Sequence, residues 1–306
     1  TLDGNNDTIT SLNFLMGNEF LISGSYNSSI KIWEVLTGKI LDNFEFFKLD
    51  ILKSLCSPDW KYLVTKISDR RINVWEISTG ILIKTFEDDF GFNNLQTIST
   101  NGKYLLLSSF NKLYLLEVGA WSYIKKLNEH SDTINSCVFS SDSKLIASSS
   151  YDKTVKIWDV SSGKLFRNLE GHTAPVTFCI FSPDNKLIVS TSYDRTIKIW
   201  EVSSGILLKN ITEIDNNISS LIYSSDGKYI IIGDIKGVIK IFDICYEKVK
   251  TIKSHFKEIT SLNSISDGNF LITGSYDKTI KIWEISTGIL IKTLGDYYCM
   301  ISSISF

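Results

Sequence analysis

The chain has 306 residues, of which 43% are hydrophobic, 12% aromatic and 22% charged. This composition is typical of a folded globular domain and excludes a disordered chain. Lys and Arg (32) nearly balance Asp and Glu (34), leaving a net charge of -2. The basic excess that phosphate neutralisation requires is missing, so we expect no nucleic-acid partner.

The sequence also argues against a membrane protein, a zinc protein and a disulfide-rich secreted protein. No apolar run approaches the roughly 18 residues that cross a bilayer, so we expect no membrane span. The cysteines are odd in number, widely spaced and free of CxxC pairs, which predicts no metal site and a reducing, cytoplasmic setting. They are Cys56, Cys137, Cys179, Cys245 and Cys299.

One eleven-residue segment recurs along the chain. Residues 150–160 (SYDKTVKIWDV) return as 192–202 and 275–285, and in looser form as 25–35. Weaker copies at 68–77, 110–118 and 234–244 lie between them. The tryptophan position of successive copies advances by 41 or 42 residues, so seven repeats fill the chain and predict a single domain over residues 1–306. The repeated tryptophan position holds Trp33, Trp75, Leu116, Trp158, Trp200, Phe242 and Trp283.

Each repeat predicts four short β-strands. In the fourth repeat, β-favouring runs at 133–139, 144–149, 154–160 and 164–169 are separated by Ser, Asp, Lys and Gly turns. Apolar residues occupy both faces of the third strand, so every sheet must be covered on both sides. A ring of sheets, each stacked on its neighbours, satisfies this requirement. The expected units are about 8–45, 50–86, 93–127, 132–169, 174–211, 216–252 and 257–294.

A Thr-Gly or Ser-Gly pair recurs after the third strand, as at Ser162-Gly163 and Thr287-Gly288. Glycine tolerates the positive φ that a tight hairpin needs, so these pairs predict tight turns. The constant repeat length leaves no room for an inserted domain. Any working surface must therefore be built from short loops.

Four residue types recur together at constant spacing. After each histidine, Ser or Thr follows at 18 residues, Asp at 22 and Trp at 28. With the Gly-His, Ser-Pro-Asp and Trp-Glu pairs near residues 171–201, this pattern resembles the tryptophan-aspartate (WD) repeat family over the whole chain. The three sets are His130, Ser148, Asp152, Trp158; His172, Ser190, Asp194, Trp200; and His255, Thr273, Asp277, Trp283.

The resemblance implies an all-β fold, a seven-bladed β-propeller with four antiparallel strands in each blade. It also implies that each set of four forms a buried structural hydrogen-bond relay. The residue chemistry agrees, because carboxylate, imidazole, hydroxyl and indole can be linked in series. A Ser-His-Asp set alone would suggest a hydrolase. Three copies that each end in Trp favour a structural role, and we expect no enzyme activity and no cofactor.

Several repeats depart from the family pattern. The histidine position holds Asn5, Phe47, Asp89 and Ile214 in repeats one, two, three and six, which predicts blades held by packing rather than by a relay. Residues 300–306 (MISSISF) match the first strand of a repeat. They either close the ring or begin a further repeat, and the chain reads as part of a longer array.

The turn before the relay Asp predicts a binding surface. The family places this turn at the mouth of the central channel, and tyrosine suits protein recognition there. The alternative is that repeat duplication copied a residue without function. Basic residues at the next turn position, Arg70, Lys153, Arg195 and Lys278, could bind an anionic partner, although each follows an Asp. The tyrosines are Tyr26, Tyr151, Tyr193 and Tyr276.

A second candidate surface lies on the loops before repeats two and three. Phe47, Asp88, Phe90 and Phe92 would form an apolar and acidic patch for a basic partner. The alternative is that Phe47 and Phe90 fold inward and fill space left by the missing histidine and glycine.

The sequence therefore predicts a non-catalytic scaffold for protein–protein interaction that presents short loops around a channel. Its partners would be other proteins or peptides, and the domain would be part of a larger chain or complex. The alternative is a ligand-sensing WD-repeat domain of a larger signalling NTPase. An enzyme is the least favoured alternative, because no GxxxxGK[ST] loop or HExxH motif is present.

Overall fold

The structure is a computed structural model, and the residues it describes are 9–15, 20–25, 29–34, 37, 39–45, 51–67, 71–86, 94–212, 214–243, 245, 247–265 and 268–294. All regular elements among them are β-strands, which confirms the all-β prediction. None of the described residues forms a helix long and apolar enough to cross a membrane. Residues 300–306, which were predicted to form an extra strand, lie outside the described residues.

The described strands form seven sheets of four antiparallel strands, each in chain order. The first sheet contains β1 (Ile9–Leu15), β2 (Phe20–Ser25), β3 (Ser29–Glu34) and β4 (Ile40–Glu45). The second contains β5 (Ile51–Cys56), β6 (Tyr62–Ile67), β7 (Ile72–Glu76) and β8 (Leu82–Phe86). The third contains β9 (Asn94–Ile98), β10 (Tyr104–Ser109), β11 (Lys112–Glu117) and β12 (Ser122–Leu127).

The remaining four sheets continue the same order. The fourth contains β13 (Ile134–Phe139), β14 (Leu145–Ser150), β15 (Val155–Asp159) and β16 (Leu165–Leu169). The fifth contains β17 (Val176–Phe181), β18 (Leu187–Ser192), β19 (Ile197–Glu201) and β20 (Leu207–Ile211). The sixth contains β21 (Ile218–Tyr223), β22 (Tyr229–Asp234), β23 (Val238–Asp243) and β24 (Lys248–Lys253). The seventh contains β25 (Ile259–Ile265), β26 (Phe270–Ser275), β27 (Ile280–Glu284) and β28 (Leu290–Leu294).

First strands of neighbouring sheets contact one another in succession, from β1 against β5 to β21 against β25. Among the described strands, each fourth strand pairs through its backbone with the third strand of its own sheet and with no other strand. The first strands therefore lie toward the centre and the fourth strands at the periphery. This is the arrangement of strands in a β-propeller.

The core lies between the faces of neighbouring sheets. Trp158 of β15 packs in one cluster with Leu106 and Leu115 of the third sheet, and Trp200 packs with Val155 and Ile157 of the fourth. The third strand is thus buried on both faces, as its sequence predicted. Leu116 and Phe242, which replace tryptophan in the third and sixth sheets, are also fully buried.

The glycine after the third strand serves two purposes. Gly163 has a φ of +70°, which the tight turn requires. In addition, a Cβ at this position would lie 2.5 Å from Cδ of Lys125 on the preceding sheet. The Lys125 ammonium group donates hydrogen bonds to the backbone oxygens of Val160 and Ser161, so its stem lies across the glycine and joins the two sheets.

Candidate functional site

The three relay sets each form a continuous hydrogen-bonded chain. In the fourth sheet, Nδ1 of His130 lies 2.7 Å from Oδ2 of Asp152, and Nε2 lies 2.7 Å from Oγ of Ser148. The indole Nε1 of Trp158 donates to the same Oγ over 2.9 Å. Each histidine stands in the loop before a first strand, the hydroxyl on the second strand and the Trp on the third.

The other two relays repeat this geometry. His172 lies 2.8 Å from Asp194 and 2.9 Å from Ser190, which accepts from the Trp200 indole over 2.8 Å. In the seventh sheet, His255 lies 2.9 Å from Asp277 and 2.7 Å from Thr273. The Trp283 indole donates to Thr273 over 3.1 Å.

The donors and acceptors of the relay fit a neutral imidazole that carries its proton on Nδ1. The indole N–H donates to the hydroxyl oxygen. When the hydroxyl donates to Nε2 and Nδ1–H donates to the carboxylate, every polar group of the relay has a complementary partner. Consistent with this, burial lowers the pKa of His172 and His255, although the neighbouring carboxylates oppose the shift.

The relay carboxylates are held ionised. Burial alone would raise the pKa of Asp152, but hydrogen bonds from His130 and Thr154 outweigh it and hold that pKa well below its usual range. The pKa values of Asp194 and Asp277 are lowered in the same way.

The relay is closed to substrates. The hydroxyl residues Ser148, Ser190 and Thr273 are 0% exposed, and an indole covers each one. A nucleophile must reach its substrate, and these hydroxyls have no path to one. No group of three potential metal-binding residues was found among the described residues.

Sheets without a histidine keep only parts of the relay. In the second sheet, the Trp75 indole still donates to Thr65 Oγ1 over 3.0 Å. In the sixth sheet, Ile214 is buried in the histidine position, and Asn216 Nδ2 donates to Asp234 over 2.8 Å instead. Asn216 does not follow from the relay spacing, because it lies two positions after the histidine position.

The tyrosines predicted to bind a partner lie on the turns between second and third strands, and Tyr151, Tyr193 and Tyr276 are exposed there. The Tyr151 and Tyr193 rings meet edge to face, with centroids 6.5 Å apart. Partial burial, together with Tyr151 and Glu258 nearby, raises the pKa of Tyr193. Tyr26, Phe47, Arg70, Asp88, Phe90 and Phe92 lie outside the described residues.

Three further apolar residues that the tyrosine spacing does not identify are exposed at the same end of the sheets. Phe110 and Ile235 occupy the same turn in the third and sixth sheets, and Phe256 follows His255 directly. A shorter turn displaces Phe110 by one position, while Ile235 could have been found by its spacing from Phe242. We call the set of six the apolar crown: Phe110, Tyr151, Tyr193, Ile235, Phe256 and Tyr276. Their exposure runs from 37% at Tyr276 to 94% at Phe256.

Backbone hydrogen bonds hold the crown at one end of the sheets. In four successive sheets, the N–H of the crown residue donates to the backbone oxygen of the residue before the first strand, over 2.8 to 3.1 Å. Those acceptors belong to the loops that enter the first strands, so the crown lies at the end of the sheets where the first strands begin. The four bonds are Tyr151 to Thr133, Tyr193 to Pro175, Ile235 to Asn217 and Tyr276 to Glu258.

The predicted basic residues lie on the same turns. Lys153, Arg195 and Lys278 are exposed and have positive φ values of 70°, 61° and 71°. Each follows an ionised relay Asp, so the charges of each turn largely cancel.

Two family models match the chain. The model of the IFT122 first beta-propeller matches residues 94–306, and the model of the WD domain, G-beta repeat, matches residues 1–34. The computationally designed Ika8 protein has a similar structure, with a TM-score of 0.85 and 23% identity, over 100% of this chain and 92% of Ika8. At this identity the similarity shows the fold alone.

Similar sequences include several WD-repeat proteins. WD repeat-containing protein SL1-17 of Schistosoma mansoni is 27% identical over 47% of this chain and 48% of that protein. The WD repeat domain-containing protein 83 homolog of Dictyostelium discoideum is 32% identical over 33% and 32%. Nuclear distribution protein nudF of Aspergillus niger is 25% identical over 53% and 42%. The chain spans less than half the length of each of these curated relatives.

Proposed function

Because the chain belongs to the WD-repeat β-propeller family, we propose that it is a non-catalytic scaffold that binds another protein through the apolar crown. One observation carries this proposal: six apolar side chains stand exposed on short turns at one end of the sheets. Exposed aromatic groups of this kind supply much of the binding energy in protein interfaces. Its setting inside the cell is part of the same proposal.

Rigid presentation supports the crown as a binding surface. The turns carry backbone hydrogen bonds at both Tyr193 and Asp194, and the Asp is bonded to a buried histidine. A partner would therefore meet side chains that are already positioned, and little ordering entropy would be lost on binding. Anion binding is less favoured, because each turn pairs a basic residue with an ionised Asp.

We also infer that the seven described sheets are seven blades of a single ring. The first strands contact one another from the first to the seventh sheet without interruption. Small-angle X-ray scattering of the chain checks this inference: a compact profile is expected, and a profile of an extended array would contradict it.

The test of crown binding uses the triple variant Tyr151→Ala, Tyr193→Ala and Tyr276→Ala. Wild type and variant are used as baits in extracts of the native source, and captured proteins are quantified by mass spectrometry. We expect at least one protein to be captured by wild type and lost about tenfold or more from the variant, since aromatic truncations at interface centres each cost more than about 1 kcal/mol.

The matched control carries Ile124→Ser, Leu165→Ser and Phe166→Ser on the fourth strands β12 and β16, where the exposed fractions of 40%, 36% and 39% resemble those of the tyrosines. It should retain the partner that the tyrosine variant loses, while both variants keep the unfolding temperature of wild type. Equal capture by all three proteins would remove the crown as the binding surface.

A further inference from the structure

Three fourth strands expose an unusual run of aliphatic side chains. Residues 80–84, 205–209 and 288–292 share the pattern Gly-Ile-Leu-Ile/Leu-Lys, in the second, fifth and seventh sheets. In each of them, three consecutive aliphatic residues are exposed. The first of the three is the most open, at 61% for Ile81, 60% for Ile206 and 59% for Ile289. We call these three segments the rim edges.

The rim edges are also the outer edges of their sheets. Strands β8, β20 and β28 hydrogen-bond to the third strand on one side and to no described strand on the other. Such an edge presents backbone N–H and C=O groups to any extended chain that approaches it. Each rim edge therefore offers both backbone hydrogen-bonding groups and apolar side chains.

Basic residues outnumber acidic ones on the fourth strands, although Lys209 forms an exposed ion pair with Glu247 over 3.3 Å. In the second to seventh sheets, the fourth strands contain no Asp or Glu, although the whole chain is slightly acidic. Some of the basic residues join sheets: Arg167 donates to Ser203 O and Lys250 to Ser286 O. The basic residues of these strands are Lys84, Lys125, Lys126, Arg167, Lys209, Lys248, Lys250, Lys253 and Lys292.

Protection against aggregation explains the lysines of the rim edges but not their exposed aliphatic residues. Lysine on an edge strand discourages pairing with another copy, and Lys84, Lys209 and Lys292 fit that role. Protection does not require three exposed aliphatic residues in a row, repeated in three sheets. Apolar side chains beside lysines instead complement a chain that is both aliphatic and acidic.

We propose that the rim edges bind an extended, acidic and aliphatic segment of a partner protein, which adds to the sheet as a fifth strand. Main-chain hydrogen bonds would supply affinity, and alternate side chains of the added strand would contact the aliphatic residues and the lysine. The proposal does not depend on the crown, which lies at the end of the sheets rather than along their outer edge.

Two other occupants fit less well. A second copy would bring two basic rims together, and like charges at close range oppose such a contact. A flat anionic membrane would touch only one sector of the periphery, whereas the rim edges belong to the second, fifth and seventh sheets. Both remain outcomes of the test.

The experiment uses an end-capped peptide of eight residues in which Val and Glu alternate, with a fluorophore for anisotropy. Wild type should bind it, more weakly as salt is added, because the lysines contribute. Three changes should each weaken binding about tenfold or more: Lys in place of Glu, N-methylation of alternate backbone nitrogens, or the variant Ile81→Ser, Ile206→Ser and Ile289→Ser. The tyrosine variant of the crown should bind as wild type does.

Four outcomes would overturn the proposal. One is no binding of the acidic peptide, and another is equal binding of the N-methylated peptide. A third is stronger association with phosphatidylserine vesicles that the serine variant abolishes, which would assign the edges to a membrane. The fourth is concentration-dependent dimerisation in sedimentation velocity that the same variant abolishes, which would assign them to a second copy.

Discussion

The blades with a relay and the blades without one hold the turn between their second and third strands through different hydrogen bonds. In the fourth, fifth and seventh sheets, a histidine from the entering loop hydrogen-bonds the turn of its own sheet, as His172 does with Asp194. In the third and sixth sheets no histidine is available. Their turns also contact the loop that enters the following sheet.

In both the third and the sixth sheet, the turn hydrogen-bonds to the backbone of the relay histidine in the next sheet. Asn111 Nδ2 of the third sheet donates to the backbone oxygen of His130 over 2.8 Å. In the sixth sheet, Gly237 O accepts from the N–H groups of Ser254 and His255, at 2.9 and 3.0 Å. In these two places, a blade without a relay thus helps to position the relay of the next blade.

The largest effect should come from Gly237→Ala. This glycine has a φ of +79°, and a Cβ would lie 2.2 Å from the backbone oxygen of His255, which cannot move aside cheaply. We expect a loss of about 4 kcal/mol or more in the free energy of unfolding, measured by urea denaturation.

The matched control is Gly119→Ala. Gly119 has a φ of +92°, but nothing lies within 4 Å of the position that a Cβ would occupy. The substitution should cost only about 1 to 2 kcal/mol, the strain of an unfavourable φ. Equal losses at the two glycines would show that the contact between the sixth and seventh sheets is unimportant.

Removal of one relay should have the next largest effect. His172→Ala leaves the Ser190 hydroxyl and the Asp194 carboxylate without their shared partner, so we expect a loss of about 2 to 3 kcal/mol in urea denaturation. Asn216→Ala in the sixth sheet removes one hydrogen bond to a buried Asp and should cost about 1 kcal/mol. Similar losses for both variants would contradict a larger contribution from the relay.

Acid should weaken the relay blades in two steps. Folding lowers the pKa of His172 and His255 below their ordinary 6.5, so the unfolded chain takes up protons first as pH falls below about 6.5. Stability falls until the folded-state pKa is passed. The lowered pKa values of Asp194 and Asp277 add a second loss as pH falls below their ordinary 3.8.

Urea denaturation between pH 8 and pH 3 measures both steps. We expect a plateau above about pH 7 and a first decline that is smaller than the loss in His172→Ala, because a protonated histidine still donates to its Asp. His172→Ala should reduce the first decline without abolishing it. Stability that rises as pH falls from 7 to 5 would contradict a neutral imidazole in the relay.

The smallest effects should come from exchanging the tryptophan slots. Trp200→Phe removes one donor to Ser190, and Phe242→Trp introduces an indole where the hydroxyl position is held by Ile232. Each change should lower the unfolding free energy by about 1 kcal/mol, measured by thermal unfolding. A stabilised Phe242→Trp variant would mean that the indole finds an acceptor in the sixth sheet that Ile232 cannot provide.

Much of the relay could be predicted from the sequence. Constant spacing between His130, Ser148, Asp152 and Trp158 identified the groups, and hydrogen-bonding chemistry gave their order. The contacts of Asn111 and Gly237 could not be predicted. They join the turn of one sheet to the loop of the next, and a pattern read within one repeat contains no information about which atoms of two repeats approach.

In the candidate surfaces too, some residues could be predicted from the sequence and others could not. Spacing found three tyrosines of the crown, but Phe256 follows a relay histidine and only its 94% exposure identifies it. The aliphatic residues of the rim edges read as ordinary strand residues, because the sequence does not show which strand of a sheet lies at the free edge. Their exposure follows from the order of strands in each sheet.

By itself, the sequence determined the repeat, the four strands in each unit and the members of each relay, because these depend on local periodicity and constant spacing. The tertiary structure decided which positions are closed and which are open. Ser190 and Tyr193 are only three residues apart, yet one is fully buried beneath an indole and the other faces solvent. Stacking of neighbouring sheets covers the first and leaves the turn that carries the second uncovered.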